Sequence, residues 1–117
     1  MNLEKVRIYC LSKKGVKESL PFDDVSPVYK VMGKIFLILS INILHSINVK
    51  CEPEKAVELR ERFDAVIPGY HMNKIHWNTV LLDGSVPDEL IYEWIDHSYL
   101  LIIKSLKKSF QDELNKL

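Results

Sequence analysis

The chain has 117 residues, of which 47% are hydrophobic and 27% charged, a composition typical of one folded domain and unlike that of a disordered chain. Its 16 basic and 16 acidic side chains give a formal net charge of zero, which argues against a wholly basic surface for duplex DNA. Any basic binding surface must therefore come from uneven placement of the lysines.

No membrane span or signal peptide is expected. The longest apolar run, Ile35–Leu44, is too short to cross a bilayer, and the chain opens with charges interleaved among apolar residues. Cys10 and Cys51 lack a CxxC pattern, and we expect both to be free thiols in a cytoplasmic protein.

The first half of the chain begins with a helix and a hairpin. Leu3, Val6 and Cys10 share one face at helical spacing, which predicts a helix over residues 3–14 that stops at Gly15. A turn-rich stretch follows. We then expect a hairpin, with strands over residues 28–32 and 35–40 joined by a tight turn near Gly33.

A third strand and a second helix come next. Alternation over residues 47–51 predicts a half-exposed strand, with Asn48 and Lys50 facing away from the apolar side chains. Residues 52–63 carry acids at the start and arginines near the end, as a helix dipole favours. The predicted core stripe of this helix is Ala56, Leu59 and Phe63.

The second half continues with an irregular stretch over residues 64–75 and a fourth strand within residues 76–84 that closes in an Asp-Gly turn. A capping-box spacing at Ser85–Asp88 opens a helix that runs to about Ser105. Residues 106–117 either continue this helix or form a short separate one.

These elements give the order α-β-β-β-α-β-α in a single domain spanning residues 1–117. That order predicts an α+β fold, with an antiparallel β-sheet covered by helices.

Three short motifs together resemble the MmcQ/YjbR-like family of small bacterial proteins. They are "GKIF" at Gly33–Phe36, "PGYHMNKIHW" at Pro68–Trp77 and "DHSY" at Asp96–Tyr99, and the resemblance extends from Leu3 to Lys108. It implies a frataxin/CyaY-like fold, also described as a double-wing DNA-binding-like fold. Members are usually labelled DNA-binding, and the resemblance implies no reaction and no cofactor.

A metal site or a catalytic site is disfavoured by spacing. His71 and His76 lie five residues apart without a CxxC or HxxxH companion, and a metal site would need Cys51, His45 or His97 to join them in space. The cysteines lie on apolar sides of their elements, and no nucleophile elbow or triad order accompanies Ser98. We therefore expect a non-enzymatic protein that holds no metal or cofactor.

Nucleic-acid binding is the leading expectation, with lysines contacting phosphates and the polar residues of the 69–77 stretch reading bases. Trp77 is expected to pack into the core. The candidate binding residues are Lys30, Lys34, Tyr70, His71, Asn73, Lys74 and His76. The alternative is a regulatory module that binds a protein or a small ligand on the same surface. A monomer is favoured.

Overall fold

A computed structural model describes residues 1–20, 26–41, 45–70 and 72–117 of the chain. In chain order, the elements of these residues are α1 (Leu3–Leu11), β1 (Val16–Ser19), β2 (Val28–Val31), β3 (Lys34–Ser40), β4 (Ser46–Lys50), α2 (Pro53–Arg62), β5 (Val66–Pro68), β6 (Trp77–Leu81), α3 (Asp88–Ser105) and α4 (Lys108–Asn115). The strands pair antiparallel in the order β1-β2-β3-β4-β6-β5. The predicted α+β class, with an antiparallel sheet covered by helices, is confirmed.

The helices α1, α2 and α3 lie on one side of the sheet, which we call the helix face. Helix α3 contacts β2, β3 and β4, while α2 contacts β5 and β6 and α1 contacts β1. The core lies between this face and the helices. Phe36, Leu37 and Ile47 of the sheet and Ile91 and Ile95 of α3 are almost completely buried there.

The β2–β3 hairpin forms as predicted, to within one residue at each inner strand end. Its turn consists of Met32 and Gly33, which have φ angles of 50° and 83°. Two successive residues with positive φ are the pattern of a tight type I′ hairpin turn, which favours glycine. The turn brings Val31 directly opposite Lys34.

A bulge interrupts β3 and is bridged by a serine of α3. The pairing of β2 with β3 shifts between Tyr29 and Lys30, so Phe36 is the extra residue. The buried hydroxyl of Ser98 donates a 2.6 Å hydrogen bond to the carbonyl of Phe36 and accepts one of 2.8 Å from the amide of Lys50. Ser98 thus joins β3 to β4 where their direct pairing ends.

The structure has three elements beyond the predicted order, namely β1, β5 and α4. Helix α1 ends at Leu11 rather than residue 14, and Gly15, with φ at +74°, leads into β1. Strand β5 lies within the stretch that was predicted to be irregular, and α4 is a separate helix. Both missed strands are short edge strands of three or four residues, for which periodicity carries little signal.

Two finer predictions are wrong. Strand β4 is not half-exposed, because Ser46 and Asn48 on its polar side are buried. The capping box does not form, because the hydroxyl of Ser85 donates to Asp83 and α3 has no side-chain cap. Among the described residues, the helices are all too short or too polar to cross a membrane.

Candidate functional site

The 69–77 segment returns the chain from β5 to β6 through a close backbone contact. The amide of Gly69 donates to the carbonyl of Trp77 at 2.9 Å, and the amide of Tyr70 donates to Oγ1 of Thr79 at 2.9 Å. A Cβ atom on Gly69 would lie 2.8 Å from Cβ of Trp77. The segment therefore requires glycine at this position because the two strands approach too closely for a side chain.

Asn73 organises the tight turn that precedes β6. Its Oδ1 accepts hydrogen bonds from the amides of Ile75 at 2.9 Å and His76 at 3.3 Å, and its carbonyl accepts from the amide of Trp77. This is the local hydrogen bonding that makes asparagine frequent in turns. The side-chain oxygen of Asn73 is thus used within the turn rather than offered to a ligand.

Arg60 holds this turn against α2. Its Nε donates to Oδ1 of Asn78 at 2.7 Å, and its Nη2 donates to the carbonyls of Lys74 and Trp77. The planar guanidinium suits such multiple acceptors in fixed geometry. The sequence analysis used Arg60 only as a helix-end charge and missed this role, since nothing local relates it to residues 14 to 18 positions later.

Several side chains of the segment are exposed. Tyr70 and Ile75 are 67% and 62% exposed, and His76 is exposed as well. The ammonium group of Lys74 donates a 3.2 Å hydrogen bond to the carbonyl of Gly69. His71, a predicted binding residue, lies outside the described residues.

The two hairpin lysines point to opposite sides of the sheet. Lys34 is paired with the buried Val31, and its Nζ lies 3.5 Å from Oγ of Ser105 at the end of α3. Lys30 is paired with Ile35 on the face away from the helices, which we call the outer face. The two lysines therefore lie on opposite faces, because successive strand residues alternate in direction, and phosphate contact by either one stays a prediction.

The outer face carries Lys30 together with two further lysines and a tryptophan. Lys17 of β1 lies directly opposite Lys30, and Lys50 of β4 lies directly opposite Trp77 of β6. We call Lys17, Lys30, Lys50 and Trp77 the basic row. All four lie toward the end of the sheet that holds the β2–β3 turn and the 69–77 segment.

No described strand position on the outer face is acidic. By register, these positions are Lys17, Ser19, Val28, Lys30, Ile35, Ile38, Ser40, Ser46, Asn48, Lys50, Ile67, Trp77, Thr79 and Leu81. Glu18, the acid found within the described strands, is on the helix face, where it accepts from Tyr29 at 2.6 Å and Arg7 at 3.0 Å.

Accessibility differs along the outer face. Its centre is buried at Val28, Asn48 and Thr79, and the hydroxyl of Thr79 donates to Oδ1 of Asn48. Lys17 is exposed, and the other members of the basic row are half-buried. Trp77 is thus not the core residue that the sequence analysis expected, and every member of the basic row is at least partly accessible.

The "DHSY" motif anchors α3 to its surroundings. Asp96 accepts from the hydroxyl of Tyr9 at 2.7 Å and forms an ion pair with Lys13. The ammonium of Lys13 also lies within about 5 Å of the rings of Tyr9 and Tyr99, at 4.8 Å and 5.0 Å from their centroids. Tyr99 donates to the carbonyl of Lys14 at 2.6 Å. Asp96, Ser98 and Tyr99 of the motif therefore make hydrogen bonds that hold α3 to the rest of the fold.

Cys10 and Cys51 are free thiols, as predicted, and both are buried. Burial raises the pKa of Cys10 to about 12 and also raises the pKa of Cys51. Activated cysteines have lowered pKa values instead. In the described part of the chain, no group of three or more metal-ligating side chains comes together.

Comparisons with known proteins agree on one family. Residues 11–101 match the YjbR family. The chain is 36% identical over 100 residues to the YjbR protein of Escherichia coli strain K12, covering 85% of each chain. It is similar to the crystal structure of Deinococcus radiodurans protein DR2400, with 36% identity and a TM-score of 0.90 over 97% of this chain and 88% of that one. A Pseudomonas syringae crystal structure is also similar, with 29% identity and a TM-score of 0.77 over 86% and 98% of the two chains.

Proposed function

The chain belongs to the YjbR family, and we propose that it binds nucleic acid through the basic row and the 69–77 segment without catalysing a reaction. The observation that carries this proposal is the direct pairing of Lys17 with Lys30 on the outer face. Side chains so paired have Cβ atoms about 4.5–5.5 Å apart, and like charges there destabilise a sheet. An anion bound between them would remove that repulsion.

The distribution of acids supports the same ligand. Although the net charge is zero, most acidic residues in the described part of the chain lie on helices, and those of the helices packed on the sheet are on the opposite side from the basic row. Those on α2 and α3 are Glu54, Glu58, Glu61, Asp88, Glu89, Glu93 and Asp96. The described outer-face strand positions thus carry basic side chains and no acidic ones, a charge distribution that favours contact with phosphates.

The 69–77 segment extends the basic row at the β6 side. Lys74 uses one donor on the carbonyl of Gly69, and an ammonium group has three donors, so two can reach a phosphate. His76 and Tyr70 are exposed on the same segment. Asn73 has a supporting role in this proposal, because its side-chain oxygen is used by the turn.

A second candidate is the docking of a protein partner at the same end of the sheet. It is favoured by the exposed apolar side chains of Ile67 on the edge strand β5 and of Tyr70 and Ile75 in the 69–77 segment. Such docking would depend weakly on salt, whereas phosphate contact depends on it strongly.

We further propose a cytoplasmic location, which the free thiols favour. The likeness to CyaY-like, double-wing folds and the monomeric state also stay predictions.

The test is a titration of a fluorescently labelled oligonucleotide at several salt concentrations between about 50 and 200 mM. We expect affinity to fall steeply with salt, and the Lys17→Ala/Lys30→Ala double variant to reduce the slope of log K against log salt by about 1.4–1.8, from ~0.7–0.9 per phosphate contact.

Lys34→Ala is the matched control, because it removes the same charge from the same hairpin but on the helix side. It should change the slope much less than Lys30→Ala does. Binding that is independent of salt, or equal losses in the two single variants, would contradict the proposed contact surface.

A further inference from the structure

Resting on the proposed function, we infer that the ligand is single-stranded nucleic acid, lying across the strands along the basic row with a base stacked on Trp77. The row begins at Lys17 on β1 and ends at Trp77 on β6. Along the strand order, that path crosses four spacings between neighbouring strands, or about 19 Å at ~4.8 Å each.

This width favours single-stranded over double-stranded nucleic acid. The major groove of B-DNA is about 12 Å wide and admits a helix or a two-stranded ribbon. The basic row is spread over a sheet too broad to enter such a groove. A single strand has no groove to enter, and its backbone can follow lysines that lie on neighbouring strands.

Trp77 offers an aromatic ring on which an unpaired base of a single strand can stack. Its ring is half-buried and directly opposite Lys50, so an aromatic surface and a cation lie side by side on the outer face. Unstacked bases stack on such rings, whereas the bases of a duplex are already stacked on each other. The hydrogen bond from the amide of Gly69 to the carbonyl of Trp77 fixes the backbone from which this ring projects.

The same geometry predicts weak sequence preference. Asparagine reads adenine with its amide oxygen and nitrogen together, and the oxygen of Asn73 is already bonded to two backbone amides. Stacking on Trp77 and phosphate contact by lysines accept any base. Homopolymers of thymidine and of adenosine should therefore bind within a few-fold of each other.

The experiment compares a single strand and a duplex of the same sequence, about 16 nucleotides long, by anisotropy and by tryptophan emission. The chain has two tryptophans, and Trp94 is buried in the core. We expect tighter binding of the single strand and quenching of emission on binding. Trp77→Phe should abolish the quenching, while the remaining emission of Trp94 reports that the variant is folded.

Trp77→Leu tests affinity, because leucine keeps an apolar side chain but removes the stacking surface. It should weaken single-strand binding by about 5- to 140-fold, corresponding to ~1–3 kcal/mol per stacked base, and leave any duplex binding unchanged. Circular dichroism and thermal melting check that the variant keeps its fold.

Each outcome has a separate meaning. If the duplex binds as tightly as the single strand and still depends on Lys17 and Lys30, the single-strand inference is wrong and the proposed function stands. If the single strand binds more tightly but Trp77→Phe retains the quenching, the stacking site is wrong. If neither nucleic acid shows salt-dependent binding, the proposed function itself fails.

Discussion

Ser98→Ala tests how the sheet is held together at the bulge. The hydroxyl is completely buried and satisfies two backbone groups, the carbonyl of Phe36 at 2.6 Å and the amide of Lys50 at 2.8 Å. Alanine leaves both groups buried without that partner. A buried polar group left unsatisfied costs at least ~1 kcal/mol, so the variant should lose about 2 kcal/mol or more of its free energy of unfolding.

The corresponding change in melting temperature follows from chain length. Unfolding entropy of ~2.1 cal/mol/K per residue over 117 residues makes 1 kcal/mol equivalent to about 4 °C, so the melting temperature should fall by about 8 °C. Urea unfolding followed by circular dichroism gives the free energy, and hydrogen exchange should show faster exchange of the Lys50 amide.

Ser105→Ala is the matched control on the same helix. Its hydroxyl donates to the carbonyl of Ile102 at 2.6 Å, but the residue is exposed and water can replace the bond. This variant should change stability by less than about 0.5 kcal/mol. If Ser98→Ala were as mild as Ser105→Ala, Ser98 would not be a necessary bridge between β3 and β4.

Two further predictions concern the segment before β6 and the half-buried His97 of α3. Gly69→Ala should destabilise the fold by about 1–3 kcal/mol, because its Cβ would meet Trp77 at 2.8 Å, and a wild-type melting curve would contradict the close approach. Burial lowers the pKa of His97 below 6.5, so the unfolded chain takes up this proton first as pH falls. Stability should therefore be complete above the unfolded pKa near 6.5 and decline as pH falls through it, and His97→Gln should flatten that decline in pH-dependent urea unfolding. An unchanged pH profile in His97→Gln would assign the decline to other groups.

The β2–β3 hairpin and α2 were predicted from turn residues, charge order and apolar spacing within the segments themselves. The β2–β3 hairpin was found because Gly33 marks a turn and apolar runs flank it, and α2 was found from its charge order and apolar spacing. Strands β1 and β5 carry no such signal. The sequence Val-Lys-Glu-Ser contains two charges in four residues, and β5 is only Val-Ile-Pro. These strands form because β2 and β6 present edges to pair with.

The candidate site was predicted in part. The 69–77 segment does place Tyr70, Lys74 and His76 at its surface, as expected for a binding segment. Lys17 was not among the predicted candidate residues, because β1 was not recognised as a strand and its pairing with Lys30 was therefore not predicted. If β1 had been predicted, its pairing with β2 would have placed Lys17 opposite Lys30.

The sequence by itself determined the family, the α+β class and a tight turn near Gly33, because motif order, hydrophobic period and positive φ at glycine are properties of neighbouring residues. The tertiary structure alone decided which lysines share a face. A shift of one residue in strand register moves a side chain to the other face. The turn and the bulge at Phe36 therefore decided that Lys30 lies with Lys17 and Lys50, while Lys34 lies with the helices.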